Sequence, residues 1–384
     1  MNWDDTIIEA AATDTGMRRA NNQDRHIIVR APNQESWRRR GHLFMVADGM
    51  GAHAVGELAS KMACDNIPHT YNKLRTGTPA EALVKSYQEV GAEIHRKATA
   101  NRDFQGMGTT CTTLVLLPDG AMIGHVGDSR VYRMRNERID QLSFDHSLVW
   151  EVVRLNRLTN EQAQQLVPKN VITRSLGPEP KVEVDIEGPI LVEHGDVFLL
   201  CSDGLSGPVV DAEIGAFAGH FHPEDACKYL VHLANLRGGH DNITCLIVRS
   251  GEFVPPTRGG EEAESDGKAK RKEGAGGLKR LLGAFHKPHK PPAVEEHLYR
   301  SEPCPIDPKL VARLIEQVRR SQAQALEQSW PIDLPKLAVH RREADDSLAS
   351  GDPWTALKNV GEAIAMLGLA GRVHKKASAA AHAN

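Results

Sequence analysis

Apolar residues gather in short runs across residues 1–250. HIIVR (26–30), HLFMVAD (42–48), TCTTLVLL (110–117), AMIGHV (121–126), RVYRMR (130–135), VFLLCSD (197–203) and ITCLIVR (243–249) read as strands. Pro118-Asp119-Gly120 parts two of them and predicts a hairpin turn. Helical spacing of apolar positions fills the gaps over 55–73, 79–99, 147–155, 160–167 and 223–236. The strands are not separated by one helix each, so a doubly wound parallel sheet is excluded. Neighbouring strands joined by turns favour antiparallel sheets with helices packed outside.

The pattern changes after residue 250. Pro255-Pro256, then Gly- and Glu-rich sequence, then Lys268, Lys270, Arg271 and Lys272, mark a linker over 251–305. Helical spacing returns over 306–384, first in LVARLIEQV (310–318) and then over 334–349. Gly351 ends that second helix. Asp352 caps a third, Pro353 occupies its first turn, and Trp354, Leu357, Val360, Ile364 and Leu367 line it. Ser350-Gly351-Asp352-Pro353 with Ala356, Ala363 and Ile364 is similar to half of a tetratricopeptide helix pair. Arrays need about three repeats, so a plain helical bundle stands beside that reading. The basic, apolar run at 278–287 reads first as solvated linker and second as a contact for anionic lipid.

Composition alters this picture little. Of 384 residues, 40% are hydrophobic and 25% charged, and the net charge of −3 argues against bulk nucleic-acid binding. The six cysteines form no zinc-like spacing, and Cys111, Cys201 and Cys245 fall in strand-like runs as buried free thiols. Unpaired thiols, no signal-peptide pattern and no long apolar run predict a cytoplasmic protein.

The chemistry is carried by four acidic loops: Ala47-Asp48-Gly49, Gly127-Asp128-Ser129, Ser202-Asp203-Gly204 and His240-Asp241-Asn242. One Asp-Gly pair at a strand end is usually a turn. Four in one unit suggest something more, because buried-edge carboxylates repel unless a cation joins them. Oxygen donors without a His/Cys set point to Mg²⁺ or Mn²⁺. Arg18 and Arg19 lie near a Gly turn and Asp24. A guanidinium can grip phosphate through two N–H groups, or simply neutralise such a cluster.

TGMRRANNQD (15–24), FMVADGMGAHAVGELAS (44–60), GMGTTCTTLV (106–115), HVGDSRVYRM (125–134), DHSLVWEVVRLNRLT (145–159), NVITRSLG (170–177), VFLLCSDGLSG (197–207) and GGHDNITCLIV (238–248) resemble, in order and spacing, the metal-dependent protein phosphatase family, type 2C class, in its bacterial form. The resemblance covers residues 5–250. It implies an α+β fold, a four-layer α-β-β-α sandwich of two antiparallel sheets flanked by helices, here followed by a small C-terminal helical domain. It implies hydrolysis of phosphoserine and phosphothreonine on proteins, the products of a serine/threonine kinase, by water activated between two Mn²⁺ or Mg²⁺ ions. Asp48 would bridge the ions, the Gly49 carbonyl would bind one, and Asp203 and Asp241 the other. Asp128 would hold a third, weaker ion. Arg19 would clamp phosphate, Gln23 and Asp24 would orient water, and Asn242 would support the metal loop. Residues 136–180 resemble the family's flap beside the active site.

Departures from the family pattern are few. Met50 replaces the His proposed as general acid in many eukaryotic members, which leaves the leaving-group proton to water; nearby His53 is a lesser candidate. Gln23 stands where Glu is usual, and Ala52 where Gly is usual. No Cys-x₅-Arg signature supports a cysteine phosphatase. Two alternatives remain: a phosphatase of a sigma-factor regulator, and an inactive phosphoprotein-binding scaffold. The C-terminal helices would dock a protein partner or form a dimer.

Overall fold

The computed structural model describes residues 7–51, 55–156, 158–168, 171–254 and 299–382. His53, Ala52, the 278–287 run and most of the expected linker lie outside them.

Two antiparallel sheets face each other. The first runs β1 (Ile7–Asp14), β11 (Ile243–Ser250), β10 (Val197–Cys201), β7 (Arg130–Arg135), β8 (Arg138–Gln141) and β12 (Arg300–Pro303). The second runs β2 (Asp24–Val29), β3 (His42–Met50), β5 (Cys111–Leu117), β6 (Gly120–Val126) and β9 (Asp185–Ile190), with β4 (Gly108–Thr109) against the end of β3. The predicted turn at 118–119 closes the β5–β6 hairpin, with Leu117 opposite Gly120.

Side chains alternate between the two faces of a strand, and both faces are buried here. Phe44 and Val46 of β3, Phe198 and Leu200 of β10, and Leu246 and Val248 of β11 meet between the sheets. Their neighbours Leu43, Met45 and Ala47 face α2 (Val55–Lys73) and α3 (Pro79–Ala100). Val197, Leu199, Cys201, Cys245 and Ile247 face α7 (Asp211–His220) and α8 (Pro223–Leu236). Burial on both faces makes these strands near-continuous apolar runs, and each buried Leu, Val or Phe contributes about 1.5–3 kcal/mol. Shorter helices α1 (Gln34–Arg40), α4 (Leu148–Asn156), α5 (Asn160–Leu166) and α6 (Asp203–Ser206) complete this part. The expected four layers are present. All six cysteines are free and buried, and among the described residues no helix is long and apolar enough to cross a membrane.

The C-terminal helices are α9 (Pro308–Glu327), α10 (Leu334–Ala349) and α11 (Pro353–His382). Gly351 has φ +81° and the Asp352 carboxylate accepts from Thr355 N–H at 2.9 Å, so the predicted stop and cap are both made. One expectation needs correction. Residues 300–303, assigned to a flexible linker, form an edge strand on β8. The expected C-terminal helical region is present, and it packs on the sandwich. Leu310, Leu314, Leu357, Val360 and Ile364 share one buried cluster with Leu199, Ile214 and Leu230 of the sandwich. The apolar stripe of α11 is used on α8.

That docking is close. A Cβ on Gly361 would lie 2.7 Å from the Tyr229 ring, whose hydroxyl donates to Glu362 at 2.6 Å. Gly361→Ala should lower stability by about 1–3 kcal/mol through overpacking, although Ala gains about 1 kcal/mol over Gly in a free helix. Urea unfolding reads the balance; a raised midpoint would contradict this packing.

Candidate active site

The acidic loops come together at one end of the sandwich. Asp24 and Asp48 are direct cross-strand partners in β2 and β3. The Asp48 peptide is pinned on both sides: its N–H donates to Thr110 Oγ1 and its carbonyl accepts from Thr110 N–H, each at 2.9 Å. Asp128 lies in the turn after β6, where Ser129 Oγ bonds Thr110 Oγ1 at 2.9 Å. Asp203 opens α6, and Asp241 closes the loop from α8 into β11.

Close backbone approach explains the glycines. A Cβ on Gly49 would lie 2.0 Å from the Gly56 carbonyl oxygen, and one on Gly204 would lie 1.8 Å from that of Asn242. The second contact packs the Asp203 loop directly on the Asp241 loop. Asn242 ties in the N-terminal loop: its Oδ1 accepts from Gln23 N–H at 2.8 Å, and its Nδ2 donates to the carbonyls of Thr15 (3.0 Å) and Asn21 (2.9 Å). Gln23 returns a bond through its carbonyl, which accepts from Gly49 N–H at 3.1 Å. Of the two adjacent arginines, Arg19 reaches the cluster, with Nη2 2.7 Å from Asp241 Oδ2 and half of its side chain exposed. Arg18 gives its backbone N–H to Gly239.

Burial dominates the electrostatics. It pushes Asp24 up to about 7, with Asp203 and Asp241 adding repulsion and Ser202 and Thr244 opposing. Burial and then Asp241 push Asp203 up to about 6, against the pull of Arg130 and Arg19. Asp48 and Asp128 are raised well above the usual carboxylate range, first by burial and then by the neighbouring aspartates. Among the described residues, Asp128 Oδ1 and Asp203 Oδ1 are buried and find no hydrogen-bond donor. Nor does any group of three His, Cys, Asp or Glu side chains there converge tightly enough to enclose an ion unaided. Carboxylate oxygens without His or Cys partners are the hard donors that Mg²⁺-like ions take, with water completing the shell. The donor set and the orphaned oxygens fit such ions.

Three residues that lie within the quoted motifs, Ser202, Asp145 and His146, have supporting roles that the sequence did not assign. Ser202 Oγ donates to Asp24 Oδ2 at 2.6 Å and accepts from Thr244 N–H at 3.0 Å. Asp145, in the flap-like segment, pairs with buried Arg130 at 2.6 Å. His146 of the same segment bonds Gly127 N–H at 3.0 Å and Asp185 at 2.9 Å, which anchors it beside Asp128. A cleft of about 660 Å³ opens from Asp128 and Asp203 toward Trp150, Val210, Arg300 and Arg313.

A family model described as protein phosphatase 2C matches residues 22–234. The chain belongs to the protein phosphatase 2C family. Among curated relatives, protein phosphatase PhpP of Streptococcus pneumoniae is 34% identical over 245 residues, covering 62% of this chain and 96% of that one. Serine/threonine phosphatase stp of Listeria innocua is 35% identical over 241 residues, covering 62% and 93%. Among solved structures, the Mycobacterium tuberculosis serine/threonine phosphatase PstP/Ppp superposes with a TM-score of 0.56 at 30% identity, covering 64% of this chain and all of that one (100%). A second structure, the catalytic domain of PstP in complex with two manganese ions, gives 0.54 at 30% identity and covers 64% and 99%. This chain is thus a protein serine/threonine phosphatase of the bacterial 2C type.

The phosphatase's loops depend on Asn242. Its removal strands three backbone groups, so Asn242→Ala should cost about 2–4 kcal/mol. Calorimetry checks this; an unchanged transition temperature would show that the loops hold without it.

Proposed function

We propose that this phosphatase removes phosphate from phosphoserine and phosphothreonine of cytoplasmic proteins with two divalent cations, Mn²⁺ or Mg²⁺, at the acidic loops. Asp48 and the Gly49 carbonyl would hold one ion, Asp48, Asp203 and Asp241 the other, and Asp128 a third, weaker one. The carrying observation is the set of buried, mutually repelling carboxylates with Asp128 Oδ1 and Asp203 Oδ1 unpartnered. Bound there, a pair of divalent cations lowers the pKa of water and offsets phosphoryl charge.

The chain's own residues supply the rest. Arg19 carries five N–H donors, so it can keep Asp241 and grip the non-bridging oxygens of phosphate together. Asp24 orients water beside Asp48, its own carboxylate fixed by Ser202. Gln23 offers an amide where a carboxylate is usual, which adds no charge to an already crowded site. Asn242 holds Gln23 and the Arg19 loop against Asp241. Met50 has no proton to give, so the leaving alkoxide takes its proton from water. The cleft toward Trp150 and Arg313 offers a path for the substrate polypeptide. Six buried free thiols suit the reducing cytoplasm.

Asp48→Asn and Asp203→Asn should each lower Mn²⁺-dependent hydrolysis of a phosphothreonine peptide by more than about a hundredfold. Chelation should abolish turnover of the full-length chain, and added Mn²⁺ should restore it. Full activity in both variants would overturn the ligand assignment. Phosphopeptide binding without turnover would favour the scaffold reading.

A further inference from the structure

The loop that carries Arg19 is held from two sides. On one side, Met17 and Arg18 donate backbone N–H groups to the Gly239 carbonyl at 2.7 and 3.1 Å, and Asn242 holds Thr15 and Asn21. On the other side stands α11, which lies beyond the residues that the family model matches. Lys375 Nζ donates to the carbonyl of Gly16 at 2.9 Å and to that of Arg19 itself at 3.2 Å. One turn earlier, Arg372 pairs with Asp14 Oδ2. Asp14 is buried, and its Oδ1 accepts from Gly16 N–H at 2.8 Å. The backbone from residue 14 to residue 19 is thus tied to α11 at both ends.

A tether serves only if its own anchor is rigid. Three glycines set α11 against large neighbours. A Cβ on Gly361 would meet Tyr229 at 2.7 Å, one on Gly368 would meet His232 at 2.5 Å, and one on Gly371 would meet Trp330 at 2.9 Å. Glu362 adds a bond to Tyr229 and an ion pair to Lys228 at 3.5 Å. The Gly16 conformation, φ +77°, leaves no room for slack, because a Cβ there would lie 2.1 Å from the Asp241 carbonyl oxygen. The ammonium of Lys375 therefore draws together two carbonyls of a tight turn that packs directly on the Asp241 loop.

We infer that Lys375, assisted by Arg372, is a positioning residue for the phosphate clamp, through which the C-terminal helix sets the backbone of Arg19. This rests on the reading of Arg19 as that clamp. An arginine on a restrained loop meets phosphate without first paying the ordering entropy of its own backbone. The loss of restraint falls on substrate binding more than on the chemical step.

The test uses the full-length chain with Mn²⁺ and a phosphothreonine peptide. Lys375→Ala should raise KM about 5–20-fold with kcat changed less than about threefold, since small misplacement of a positioning group carries effects of that order. The inhibition constant of inorganic phosphate should rise in step. Lys375→Arg should retain near wild-type values. In an Arg19→Ala background, Lys375→Ala should add less than about a twofold effect, because the clamp it positions is gone. Without metal or substrate, amide hydrogen exchange at residues 15–20 should be faster in Lys375→Ala than in the wild type. Wild-type KM and wild-type exchange in Lys375→Ala would overturn the inference, as would an undiminished effect in the Arg19→Ala background. Should Lys375→Ala lose cooperative unfolding, Lys375→Met keeps the aliphatic stem and carries the same comparison. A wild-type chain inert with Mn²⁺ would overturn the phosphatase reading instead, and the exchange comparison would still decide the tether.

Discussion

The structure depends on confining mutually repelling carboxylates at one end of the sandwich. Asp24, Asp48, Asp128, Asp203 and Asp241 come from five separate loops or strand ends, and burial with mutual repulsion raises four of them. Left to local forces, such loops would move apart until water screened them. They are prevented by the strands behind them, which are buried on both faces and carry little freedom to shift. They are also bolted to one another: Asn242 to the 15–23 loop, the Gly204 backbone against Asn242, Ser202 to Asp24, and Thr110 to both Asp48 and Ser129. Burial and repulsion push these carboxylates toward the neutral form, and a bound cation would favour the charged one.

Residue pattern and structure agree where burial is symmetric. Strands such as β10 and β11 face the second sheet on one side and helices on the other, so they stand out as unbroken apolar runs. Helices with one buried face, such as α3 with its Thr78–Glu81 capping box, are equally plain. Of the strands absent from the sequence pattern, β1, β9 and β12 lie at edges, while β8 is a four-residue strand between β7 and β12. In β1, Ala10 and Ala12 pack beneath α8, where bulkier β-branched residues would hold the helix away, so the run IIEAAATD lacks a strand's usual composition. Strands β9 and β12 contain proline, which a sheet tolerates only at its margin. Edge position weakens the very signal that identifies a strand.

The site divides in the same way. Glycine-flanked aspartates at strand ends are visible as a pattern because two requirements coincide there: a charged group, and a backbone without a Cβ. Ser202, Thr110 and Asp145 carry no such mark, since a serine or threonine in a strand, or an aspartate in a loop, has many ordinary reasons to be present. Their roles arise from pairings 15 to 178 positions apart in the chain, such as Arg130 with Asp145 and Ser202 with Asp24, and no local window contains both partners.

The C-terminal helical region lies against the sandwich. A Gly- and charge-rich stretch followed by amphipathic helices suggests a tethered module. Yet an amphipathic helix must cover its apolar stripe, and α11 does so on the outer face of α8. Helix α8 also leads directly into the loop of Asp241, and Arg237 braces its end through Glu213 at 2.6 Å and the Pro208 carbonyl at 2.9 Å. Any helix docked on α8 is therefore mechanically close to the acidic cluster. With Lys375 and Arg372 at its far end, α11 touches the other wall of the same site. The C-terminal helices thus bear on both loops that meet at Arg19 and Asp241, one through α8 and one directly. A shift of α11 would be felt at both partners of that ion pair together.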